Sequence, residues 1–139
     1  MPALSSYDYA VIRVVPSVER GECINVGVIL FCRTRRFLGA LLHVDEQRLL
    51  ALASDLDLAE LRQHLETISL ICAGDPRGGS IASMSLSERF HWLVAPRSTI
   101  IQTSPPHSGL CADPQQALHH LLETMVYVRP GGSDSPQAS

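Results

Sequence analysis

Apolar and polar positions fall into two β-type patterns in the first third of the chain. Residues 11–15 are rich in β-branched side chains, and residues 24–32 form a nearly continuous apolar run. The second pattern is that of a strand covered on both faces, which predicts a central strand. Arg33-Thr34-Arg35-Arg36 then interrupts the apolar character before residues 37–43 resume it, so the second and third strands read as an antiparallel hairpin. Pro16 is expected to end the first strand, and the short connection through Gly21 makes an antiparallel neighbour on that side too.

The period changes after residue 44. Asp45 can cap a short helix carrying Leu49, Leu50 and Ala53; Asp57, with Glu60 three residues on, opens a second whose Leu58, Leu61, Leu65, Ile68 and Cys72 follow 3,4 spacing up to Gly74. Ser85 and Glu88 repeat the capping pattern ahead of Leu86, Phe90 and Leu93, and Pro96 closes that helix. Residues 98–103 read as a short strand and residues 104–109 as a turn. Asp113-Pro114 starts a last helix with Leu118, Leu121, Leu122 and Met125 on its apolar stripe. The order β-β-β-α-α-α-β-α predicts an α+β fold: a mainly antiparallel sheet of three to four strands with about four helices packed against it. One globular domain over residues 1–129 and a disordered tail over 130–139 are expected, since the tail lacks apolar residues to pack.

Charge narrows the partners. All 11 basic residues are arginine, against 14 acids, and this net charge of −3 argues against nonspecific binding to nucleic acid. Residues 1–43 carry five arginines and three acids, whereas residues 44–75 carry two arginines and seven acids. Solvated faces of opposite sign account for that asymmetry. Four scattered cysteines without a C-x-x-C pair suit reduced thiols in a cytoplasmic protein, and no membrane span is expected.

Two groups of residues could carry chemistry. Arg13, Glu22 and Asn25 would meet if the first two strands pair, giving a guanidinium fork, an anion and an amide able to orient a polar ligand. The simpler account is an Arg13–Glu22 ion pair, with Gly27 only admitting a close neighbour. The second group is Arg97 and Ser98, just past a proline, with Arg89 and His107 as further donors to an anion. Phe90 and Trp92 read as core and interface aromatics.

Catalytic templates are missing. The chain contains no G-x-G-x-x-G, H-E-x-x-H or G-x-S-x-G, and without lysine it cannot form a G-x-x-x-x-G-K-[ST] phosphate loop or a Schiff base. The neighbours His119 and His120 point about 100° apart on a helix, which does not suit one metal. Neither a metal nor another cofactor is implied. Cys23, outside the strand interior, is the candidate thiol nucleophile, and an acidic neighbour such as Glu22 disfavours the thiolate that this role needs.

The blocks Tyr7-Asp8-Tyr9-Ala10-Val11-Ile12-Arg13, Val15-Pro16, Gly21-Glu22 and Asn25-Val26-Gly27-Val28, then Arg89-Phe90 and Ala95-Pro96-Arg97-Ser98, resemble a bacterial family, the domain of unknown function 3037. The likeness runs from about Tyr7 to Val128. It implies a small cytoplasmic bacterial protein, often encoded beside a HipA-like kinase, and it carries over Arg13, Glu22, Asn25, Gly27, Arg89, Arg97 and Ser98 without assigned roles. Two functions fit these features. The leading one is a non-enzymatic binding or accessory protein, a regulatory partner of such a kinase. The rival is an enzyme or ligand-binding domain acting on a phosphate-bearing small molecule or nucleotide through the arginines, with Glu22 as general base.

Overall fold

A computed structural model describes residues 3–17, 20–96 and 99–127. Three strands, β1 (Ser5–Ser17), β2 (Glu22–Cys32) and β3 (Phe37–Leu42), lead into α1 (Glu46–Leu52) and α2 (Leu58–Ala73). Two 3-10 turns, Pro76–Gly78 and Ser80–Ser83, precede α3 (Leu86–Leu93), β4 (Ile101–Thr103), β5 (His107–Cys111) and α4 (Pro114–Met125). The fold is α+β, with an antiparallel sheet in the order β3-β2-β1-β4 and β5 also paired to β1.

Five strands form where three to four were expected, because residues 107–111 are extended rather than part of a turn. β4 and β5 lie end to end along the same edge of β1, broken by Pro105-Pro106, whose rings cannot donate to a ladder. Ser104 spans the break: its N–H donates to the Val11 carbonyl at 2.8 Å, and its Oγ accepts from the Val11 N–H at 2.9 Å. Ser108 fixes β5 further by donating to Asp8 at 2.9 Å. Pro16 also departs from expectation. β1 continues to Ser17, since Pro16 falls in a register shift between Val14 and Ser17 where no N–H is called for.

The β1–β2 register steps from Ile12↔Gly27 to Arg13↔Asn25, leaving Val26 as an extra residue on β2. This bulge inverts the alternation of β2. Ile24 and the bulged Val26 share one core with Ile29 and Phe31 beyond it, while Val28, Leu30 and Cys32 enter a second core on the other face. The bulge sets Asn25 toward α4 and Gly27 toward Ile12 and Leu42 of the opposite core. β2 is interior as expected, buried from Val26 to Cys32, and β1 is interior beside it.

Helices cover both faces. Leu49 of α1, Leu61, Leu65 and Ile71 of α2, and Phe90 and Leu93 of α3 pack on Ile12, Val14 and Ile29. On the opposite face Leu118, Leu121 and Leu122 of α4 meet Val11, Val28 and Leu30. The expected caps form: Asp45, Asp57 and Asp113 accept from backbone N–H groups of α1, α2 and α4, and Ser85 and Glu88 complete a capping box on α3. Among the described residues no helix is long and apolar enough to cross a membrane. The tail expected over 130–139 lies outside the described residues.

Candidate functional site

An apolar groove of about 240 Å³ lies where α2, α3 and β4 meet. Its walls are Ile68 and Ile71 of α2, Trp92 and Leu93 of α3, and Ile101 of β4, with His64 and Thr67 on the rim. The three-residue strand β4 contributes Ile101, Gln102 and Thr103 to the groove lining, across from residues of α2 and α3. Phe90 and Leu93 point α3 into the core, and Trp92, about 100° around the axis from Leu93, is carried to the groove wall. It remains 41% exposed, a large apolar surface left beside a cavity.

The residues singled out from the sequence do not share that groove. Arg13 and Asn25 do come together, as direct partners across β1 and β2. Asn25 donates its Nδ2 to the Met125 carbonyl at the end of α4, 2.9 Å away. By alternation with Val11, Arg13 lies on the α4 face. Its Nε is buried and has no hydrogen-bond partner among the described residues. Glu22 stands farther along, opposite Ser17, and its exposed carboxylate pairs with Arg20 at 3.2 Å rather than with Arg13.

Arg89 belongs to the opposite layer. It is buried and donates Nε to the Met84 carbonyl at 2.9 Å, and Nη1 to the carbonyls of Ile71 and Cys72 at 2.8 and 3.0 Å. Its guanidinium thus ties the last turn of α2 to the start of α3. Arg97 and Ser98 lie outside the described residues. His107 sits on β5 with its ring 5.5 Å from that of Tyr9.

Sequence reasoning placed Trp92 as a core or interface aromatic and did not find the other groove residues. Each of them reads locally as part of an ordinary helix or strand, and only tertiary packing sets them around one cavity.

The thiols differ sharply in environment. Cys23 is exposed, whereas Cys32, Cys72 and Cys111 are buried. Burial pushes the Cys72 thiol up to about 12, against a smaller opposing effect of the Arg89 charge. Iodoacetamide at pH 8 is therefore expected to modify Cys23 rapidly and to leave Cys72 intact until denaturant is added, as read by peptide mass spectrometry. Rapid labelling of Cys72 in the native protein would contradict this packing.

Residues 9–126 match the family described as Protein of unknown function (DUF3037), and the chain belongs to that family. No curated protein and no solved structure matches the chain.

Proposed function

We propose that this DUF3037 member is a non-enzymatic accessory protein that binds a protein partner through the groove between α2, α3 and β4. A HipA-like kinase is the partner to which the family resemblance points. The observation that carries the reading is Trp92, half-exposed on the wall of an apolar groove. Binding energy at protein interfaces concentrates in aromatic anchors set in apolar pockets, with polar groups at the rim. Size favours a protein over a metabolite: about 240 Å³ is below the ~300–1,000 Å³ usual for small-molecule sites and suits an inserted apolar side chain.

The rival reading needs Arg13, Arg89, Arg97 and Ser98, with Glu22 as general base, to act on one phosphate-bearing substrate. Arg13 and Arg89 lie on opposite faces of the sheet, and three backbone carbonyls already engage Arg89, which weighs against a shared centre.

The test is a binding isotherm for the purified kinase with wild-type protein, Trp92→Ala and the rim variant His64→Ala. Loss of Trp92 is expected to weaken binding by about 2 kcal/mol, roughly thirtyfold, at little cost in melting temperature. His64→Ala should have a much smaller effect. Equal affinity of wild type and Trp92→Ala would refute the groove as the docking site.

A further inference from the structure

We propose that Arg13 is the core of a second, separate site, which binds a phosphoryl oxyanion on the α4 face of the sheet. Arginine carries five N–H donors in a rigid planar fork, and buried donors are nearly always satisfied within a folded protein. Arg13 departs from that rule. Its Nε is the one buried side-chain nitrogen or oxygen atom without a partner among the described residues. The side chain as a whole is half-buried, so the fork is not sealed from solvent.

The neighbours of Arg13 hold the fork open instead of closing it. Across β2, Asn25 gives its amide hydrogen to the Met125 carbonyl at 2.9 Å and so occupies that acceptor at the end of α4. Across β4, Gln102, the other register partner of Arg13, gives its Nε2 hydrogen to the Thr99 carbonyl at 2.9 Å. Among the described residues no carboxylate lies within ion-pair reach of Arg13, and the nearby Glu22 is taken by Arg20. The result is a guanidinium flanked by two tethered amides, whose Nε finds no complement among the described residues. A compact anion with several oxygens supplies that complement, and the fork favours phosphoryl oxygens, which it can meet in pairs.

The probe is inorganic phosphate, titrated into the intact protein by calorimetry and thermal shift against sodium chloride at equal ionic strength. Saturable binding that raises the melting temperature is expected, with at least a tenfold loss of affinity in Arg13→Gln and a smaller loss in Arg13→Lys, which keeps charge but not the fork. Methyl phosphate distinguishes the sources: tighter binding than phosphate assigns the site to the terminal group of an ester, weaker binding to the free ion. Because Arg13→Gln could fail to fold, Asn25→Asp serves as a second variant. It sets a carboxylate across from Arg13 and should abolish the phosphate response. The proposal falls if phosphate stabilises no more than chloride, if acetate binds as well as phosphate, or if a folded Arg13→Gln or Asn25→Asp responds as the wild type does.

Discussion

Arg89→Met is expected to destabilise the protein by about 3 kcal/mol, the cost of stranding buried hydrogen-bonding groups, although methionine fills much of the same volume. Three carbonyls lose a charged donor at once: Met84 and Cys72, and Ile71, which keeps only the Gly74 N–H at 3.1 Å. Two of these belong to the last turn of α2, where the helix dipole concentrates negative charge, and α2 has no basic residue of its own in that turn. Arg89 supplies the missing cation from α3. Gly74 completes the arrangement: it ends α2 at φ 73°, and a Cβ there would come within 3.2 Å of the Arg89 Nη1. For a chain of this size the loss corresponds to roughly 10 °C in melting temperature, measurable by thermal or urea denaturation. Arg89→Lys should recover only part of it, because an ammonium cannot span acceptors on two elements as the fork does. An Arg89→Met protein as stable as the wild type would show that those carbonyls do not depend on the guanidinium.

Gly27→Ala is expected to cost about 2–3 kcal/mol through overpacking, at a position where the usual effect of replacing glycine in an unstrained backbone is a gain of up to ~1 kcal/mol. The difference is steric. A Cβ on Gly27 would lie 2.6 Å from the Leu41 carbonyl oxygen, 2.7 Å from Leu42 Cδ2 and 3.1 Å from Ile12 Cδ1. The first is backbone of the neighbouring strand, which cannot retreat without opening the β2–β3 pairing at Gly27↔Leu42. The position also borders the Val26 bulge, so a shift there would disturb the residues that alternate between the two cores. Gly21→Ala is the matched control: it lies at φ 72° with no described residue within 4 Å of the added Cβ, so the left-handed backbone penalty of about 1 kcal/mol is the cost that applies. Chemical denaturation of both variants should rank them in that order, and equal losses would contradict the close approach.

Local chemistry was well written in the sequence. Asp45, Asp57, Ser85 with Glu88, and Asp113-Pro114 each mark a helix start because a capping side chain acts within three residues of itself. Gly74 marks an end for the same reason. The β2–β3 hairpin was legible from its polar turn. The features that could not be read depend on distant partners. Pro105-Pro106 looks like the centre of a turn until Ser104 is seen to carry the ladder past it to β5. The bulge at Val26 is a mismatch between two strands, and neither strand reveals it alone.

The candidate residues divide along the same line. Pairing of β1 with β2 brought Arg13 beside Asn25, as the spacing predicted, but the second register shift and the alternation of β2 set Glu22 apart from them. Arg89 looked like a ligand-facing cation because its acceptors, carbonyls 17 and 18 positions away, leave no local trace. The groove beside Trp92 is likewise a product of how α2, α3 and β4 meet.

Trp92 is the only tryptophan in the chain, so 5-fluorotryptophan labelling gives one fluorine resonance that reports on the groove wall. The decisive measurement is that resonance during titration with unlabelled HipA-like kinase. A chemical-shift change that saturates together with complex formation is the predicted result. A complex that forms while the Trp92 signal keeps its chemical shift, or no complex at all, would contradict the account.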